Sequence, residues 1–148
     1  MLAEQDILPL LSAAAAARNN AYAPYSRFRV GAALLAGERV IRGCNVENAA
    51  YGDSICAERG AVLAAVAAGL REFRALAVST EASTPVPPCG SCRQVLREFC
   101  LDDFPIVMGA ASGTYTVVSL NDLLPAAFTS RSLSDAGRPP WPPRPPPR

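Results

Sequence analysis

Apolar residues crowd the start of the chain at helical spacing. Ile7, Leu8, Leu10 and Leu11 give way to an alanine run of high helix propensity, which predicts a helix capped by Asp6 and reaching about Asn20. Pro24, within the segment 21–26, bars its continuation and marks a loop. Phe28 to Ala36 reads as a buried strand, Gly37-Glu38-Arg39 as a turn, and Val40 to Asn45 as a second strand closing a hairpin. A second alanine-rich helix is predicted over Cys56 to Gly69, with Gly69 as its terminating glycine. Ala75 to Thr80 is a short strand, Glu81 to Pro88 a loop holding three prolines, and Gly90 to Cys100 a helix. Pro105 to Met108 and Tyr115 to Val118 are further strands, and Ser119 caps a last short helix that ends at Leu124 before Pro125. This order predicts one layered α/β domain around a mixed sheet of about five strands.

The pattern stops after Ser130. The final ten residues hold seven of the fourteen prolines, and apolar periodicity is lost. The domain is therefore expected to occupy residues 1–130, with 131–148 a Pro/Arg-rich tail, disordered or polyproline in character. Its P-x-x-P spacings, such as Pro140 to Pro143, are of the kind that SH3 domains bind, although an idle extension is the simpler reading. No internal repeat is evident.

Charge narrows the function classes. The net charge over 148 residues is +1, but residues 1–130 carry ten basic and twelve acidic side chains. A nucleic-acid binder needs a basic surface to displace phosphate counterions, and this body lacks one. Every basic residue is Arg, a bias better assigned to genome composition than to function. The N-terminus carries Glu4 and Asp6 where a secretory signal would be positive. The apolar stretch Ile7 to Ala17 contains Pro9 and falls short of the roughly 20 residues a bilayer requires. A cytoplasmic location without membrane attachment is expected. Cysteines stay reduced there, so the five present are better read as ligands or catalysts than as disulfides.

Three of the five share a pattern. Cys56-Ala57-Glu58 opens one predicted helix and Pro88-Cys89-Gly90-Ser91-Cys92 opens another. Cys89 and Cys92, three apart at a helix start, fall on one face and can share a metal. The chain has no histidine, so a zinc site would use sulfur or carboxylate ligands. Three protein ligands plus water is the catalytic arrangement of zinc, whereas structural sites close with four. Cys44 and Cys100 have no partner spacing. Glu58, two residues after Cys56 on the same helix turn and without needing to ligate, could move protons between a zinc-activated water and a leaving amine, a known pattern in zinc deaminases. Three thiolates over-neutralise Zn²⁺. The helix N-termini favour thiolate, and Arg59 and Arg93 stand close enough in sequence to donate to sulfur. A redox pair or half of a structural zinc knuckle is the alternative reading of Cys89-Cys92 alone.

These motifs resemble those of the small homotetrameric cytidine deaminases, over about Tyr22 to Phe128. Residues 22–32 look like that family's loop-and-strand opening, and 43–49 (Gly-Cys-Asn-Val-Glu-Asn-Ala) like its ribose-binding segment. Residues 89–94 look like its second metal motif, and 123–128 like its C-terminal segment. The resemblance implies a three-layer α/β/α domain that deaminates cytidine and 2′-deoxycytidine with one zinc per subunit. It implies that Cys56, Cys89 and Cys92 ligate zinc and that Glu58 shuttles protons. Asn45 and Glu47 would hold ribose hydroxyls, and residues two apart in an extended segment do point the same way. Phe28 would stack near the pyrimidine, the Ala57 backbone would bind it, and Tyr51 and Phe128 would enter a neighbouring subunit's site within a tetramer. Pro87 preceding Pro88-Cys89 departs from the family pattern. Two alternatives stand beside this reading: a deaminase of a modified aminopyrimidine nucleoside of the blasticidin type, and a non-catalytic zinc-stabilised scaffold.

Overall fold

The computed structural model describes Leu2 and residues 4–134; the rest of the tail expected from 131 onward lies outside the described residues. Helix α1 (Glu4–Arg18) precedes a hairpin of β1 (Val30–Ala36) and β2 (Arg39–Cys44). Helix α2 (Ala57–Ala67) leads to β3 (Phe73–Thr80), and α3 (Gly90–Phe99) to β4 (Pro105–Gly109) and β5 (Tyr115–Ser119). Two short helices follow, α4 (Leu120–Leu123) and α5 (Ser130–Ser134). The strands form one sheet in the order β2-β1-β3-β4-β5. The β3–β4 pair is parallel and the other neighbours are antiparallel. The parallel pair needs a long crossover, which α3 supplies.

The three central strands are apolar almost without interruption because both faces of the sheet are covered. Successive side chains point to opposite faces. Ala33, Ala75, Ala77 and Val107 meet Ile7, Leu10 and Ala14 of α1 on one side. Ala32, Leu34, Leu76, Val78 and Ile106 meet Ala61, Val62 and Ala65 of α2 and Leu96 of α3 on the other. The result is the expected three-layer α/β/α domain on a mixed five-stranded sheet.

Small residues set the depth of this packing. A Cβ on Gly31 would stand 2.0 Å from the Ala14 carbonyl oxygen, so α1 rests almost on the β1 backbone. A Cβ on Gly43 would lie 2.3 Å from the Ala57 carbonyl oxygen and 2.4 Å from the Ala61 nitrogen, so α2 sits equally close to β2.

Element ends differ modestly from expectation. Helix α1 starts at Glu4, which places Asp6 inside the first turn rather than at the cap. An acid there still faces the positive end of the helix dipole. Gly69 adopts φ +81° just past α2, as a terminating glycine does. Ser119 caps α4 through a reciprocal box with Asp122, whose amide donates to Ser119 Oγ at 3.1 Å. A 3-10 turn at Tyr51–Asp53 and helix α5, which spans the boundary expected at 130, carry no periodic signal in the sequence.

Candidate active site

The two helices that pack against one face of the sheet both begin with a cysteine. Cys56 is the N-cap of α2 and Cys89 the N-cap of α3, each in extended backbone with no side-chain capping hydrogen bond. Cys92 follows at the third helical position of α3. The sulfurs thus occupy the places where a capping box puts its oxygens and where the helix dipole favours negative charge. Cys56 Sγ lies 3.8 Å from Cys89 Sγ, which lies 3.5 Å from Cys92 Sγ. All three fall within 4.8 Å of one another, the one grouping able to hold a metal among the described residues. Tetrahedral zinc with bonds of about 2.3 Å to sulfur requires separations of about 3.8 Å. The donor set and its spacing therefore fit zinc. Burial is graded, from Cys92 at 0% exposed through half-buried Cys56 to exposed Cys89, so the cluster opens to solvent on one side.

Arg59 faces this cluster. Its Nη2 donates to the Ser54 carbonyl oxygen at 3.0 Å and reaches Cys56 Sγ at 3.6 Å. Its Nε is buried with no hydrogen-bond partner among the described residues, which leaves a cation held against sulfur. Cys56 is brought down to about 5, chiefly by the Cys92 thiol donating to it, with Arg59 and Cys89 adding to the effect against burial. The Cys92 thiol is pushed up by that same donation, by burial and by the charge of Glu58.

Arg93 acts differently from the sequence expectation. Its Nε donates to the Pro88 carbonyl oxygen and its Nη1 to that of Leu123, both at 2.7 Å. Among the described residues its hydrogen bonds go to these carbonyls and not to sulfur. Arg93 fixes the backbone that leads into Cys89 and ties it to α4.

Glu58 is 5% exposed, in the first turn of α2. Burial raises its pKa above the usual carboxylate range, the Cys56 charge adds to this, and its own backbone amide and the Cys92 thiol oppose it. A carboxyl so placed takes up a proton more readily than one in water. Ala57, between it and Cys56, is fully buried.

Asn45 and Glu47 lie on the segment after β2, stitched to residue 22 by Tyr22 N donating to the Asn45 carbonyl at 3.0 Å and Glu47 N to the Tyr22 carbonyl at 2.8 Å. The Asn45 side chain accepts from Val30 N at 2.8 Å and donates to the Phe28 carbonyl at 2.9 Å. Glu47 accepts from Tyr25 N at 2.9 Å, from Ser26 N at 3.1 Å and from the Ser26 hydroxyl. The Ser26 hydroxyl, followed by burial's opposing effect and the two amides, lowers the Glu47 pKa. A cavity of about 340 Å³ is lined by Tyr25, Ser26, Glu47, Tyr51 and Ser54. Ser54 joins it to the sulfur cluster through its bond to Arg59. Phe28 is 39% exposed beside this region. Tyr51 meets Tyr25 edge-on at 5.2 Å, and Phe128 is exposed with its carbonyl accepting from Gln94 Nε2 at 2.9 Å. Sequence reasoning missed Ser26 and Gln94. A hydroxyl residue beside a proline turn is the only signal the first offered.

The chain matches the family described as the cytidine and deoxycytidylate deaminase zinc-binding region over residues 5–108. It is 47% identical over 127 residues to a cytidine deaminase of Halalkalibacterium halodurans, covering 85% of this chain and 96% of that protein. A cytidine deaminase of Sporosarcina psychrophila is 46% identical over 132 residues, covering 88% and 97%. Among solved structures, cytidine deaminase from Burkholderia pseudomallei superposes with TM-score 0.79 at 48% identity, over 86% of this chain and 100% of that one. That from Mycobacterium tuberculosis does so with TM-score 0.73 at 40% identity, over 86% and 98%.

Proposed function

The chain belongs to the zinc-binding cytidine and deoxycytidylate deaminases, a hydrolytic family, and from that premise we propose how its residues divide the work. Water adds to C4 of the cytosine ring, N3 takes a proton, and the C4–N4 bond breaks to release ammonia and leave uridine or 2′-deoxyuridine. Cys56, Cys89 and Cys92 would hold zinc, which when bound supplies the Lewis acidity that activates water. Glu58 takes the proton from the attacking water, gives it to N3 and then serves the departing amine. Its carboxyl, buried and raised in pKa by that burial, suits a group that must both accept and return a proton. Three sulfurs at zinc spacing with one buried carboxylate beside them carry this reading.

Asn45 and Glu47 hold the 3′-hydroxyl of the sugar and leave the 2′ position open, so both nucleosides are accepted. Hydrogen-bond inventory supports this. Asn45 keeps one N–H and one lone pair beyond its contacts to residues 28 and 30, and Glu47 keeps one acceptor site beyond its three donors. A hydroxyl, which donates and accepts, matches what is left. Phe28 stacks on the ring and the Ala57 backbone binds its polar edge. Tyr51 and Phe128, 72% and 59% exposed, serve neighbouring copies in a tetramer with shared sites. Residues 1–130 form the catalytic domain, working in the cytoplasm in pyrimidine salvage.

Two outcomes check the assignment. Purified protein is expected to convert cytidine, followed by ultraviolet absorbance, with about one zinc per chain in the same sample. One zinc without conversion would shift the substrate to a modified aminopyrimidine or favour a scaffold, and folded, reduced protein lacking zinc would overturn the proposal. Arg59→Gln is expected to weaken zinc retention by about tenfold, read by competition with a chelator, because a cation beside a thiolate ligand is lost. Arg93→Gln acts through the Pro88 carbonyl and gives the smaller change. Full zinc and full rate in both variants would remove the arginines from the account.

A further inference from the structure

Ser26 stands outside the groups assigned so far, yet it makes two of the hydrogen bonds that join the loop after α1 to the segment after β2, and a third within the loop. Its amide donates to Glu47 Oε2 at 3.1 Å and its hydroxyl to Glu47 Oε1. The same hydroxyl oxygen accepts from Phe28 N at 3.0 Å. The turn that presents these groups is closed by Arg27 N donating to the Ala23 carbonyl at 3.1 Å. Arg27 adopts φ +57°, a left-handed conformation uncommon for a residue with a side chain. Within this turn the Tyr25 and Ser26 amides meet one carboxylate oxygen together.

We infer that Ser26 is a positioning residue for the sugar site, aiming the Glu47 carboxylate and coupling it to the Phe28 backbone through one hydroxyl. The inference rests on the reading that Glu47 receives a sugar hydroxyl. A carboxylate has about four acceptor sites. The two amides fill those of Oε2, and the Ser26 hydroxyl fills one on Oε1, so a single direction stays open for substrate. Without the Ser26 hydroxyl, Oε1 has two open directions and Phe28 N loses its acceptor. Sugar recognition is then blurred while the sulfur cluster and Glu58, on other elements, are untouched. Ser26 and Glu47 both line the cavity of about 340 Å³, so the effect falls where substrate enters.

Steady-state kinetics of the zinc-loaded enzyme on cytidine and 3′-deoxycytidine test this, with wild type, Ser26→Ala, Ser26→Thr and Glu47→Gln compared. Ser26→Ala is expected to raise KM for cytidine about tenfold with kcat within about threefold, and to leave 3′-deoxycytidine almost unchanged, the pattern of lost binding rather than lost chemistry. Ser26→Thr, which keeps the hydroxyl on an exposed loop, restores the preference. Should Ser26→Ala prove unstable in a thermal melt, Ser26→Gly removes the hydroxyl and repeats the measurement. Wild-type preference for the 3′-hydroxyl in the variant lacking the serine hydroxyl, with Glu47→Gln losing it, overturns the inference alone. Unchanged preference in Glu47→Gln overturns the sugar-binding reading beneath it.

Discussion

Glu58→Gln is expected to yield a folded, zinc-loaded protein that turns cytidine over about 10³- to 10⁴-fold more slowly, the upper range for a general acid–base group. The amide keeps the shape of a side chain that is 5% exposed, so packing around the start of α2 is preserved. Burial and the charge of Cys56 both disfavour the native carboxylate. A neutral amide relieves that cost, and the variant should melt no lower than the wild type. What it cannot do is accept a proton from water and return it to the ring and the amine. Zinc per chain, melting temperature and kcat measured on one preparation separate the roles. A variant retaining more than about a tenth of wild-type kcat would exclude Glu58 as the proton carrier.

Cys92→Ala is expected to reduce bound zinc to less than a tenth of the wild-type content and abolish measurable turnover. Cys92 is the fully buried sulfur of the three, and its loss leaves only half-buried Cys56 and exposed Cys89. Two cysteines do not make the three-ligand site that catalytic zinc uses. The stability signature is specific. A metal that binds only the folded chain contributes about 4 kcal/mol when present at 1,000 times its dissociation constant. Wild type should therefore melt higher with zinc than without it, whereas Cys92→Ala should not respond. Cys44→Ala is the control, since that thiol points to the Asn20 carbonyl oxygen at 3.5 Å and lies outside the cluster. A zinc-dependent rise in melting temperature persisting in Cys92→Ala would place the metal elsewhere.

Strands β1, β3 and β4 were legible because a sheet covered on both faces demands continuous apolar runs, and those runs stand out between glycine and proline turns. The metal cluster was legible because a C-x-x-C at one helix start and a lone cysteine at another have few other uses in a chain without histidine. The arginines show where linear reading ends. Arg59 lies three residues after Cys56 and so returns to the same helix face, reaching its sulfur at 3.6 Å. Arg93 follows Cys92 immediately, and one residue turns an α-helix by about 100°. It points away, to the carbonyls of Pro88 and Leu123. Asn45 was readable as a candidate for the sugar, but not as the clamp between residues 28 and 30 that it also is. Ser26 was missed because its partner, Glu47, lies 21 positions away and is joined to it by a turn whose left-handed residue is an arginine rather than a glycine.

Gly43 carries no functional group, yet the chemistry depends on it. The carbonyl that a methyl there would strike belongs to Ala57, the residue between the first sulfur and Glu58. Strand β2 runs directly into Asn45 and the start of α2 carries Cys56 and Glu58, so a methyl at Gly43 must displace one set of site residues relative to the other. A hydrogen atom on a strand that supplies no reacting group is therefore expected to be needed for turnover. A genetic screen would score this position with the catalytic residues, although no reagent aimed at a side chain could ever find it.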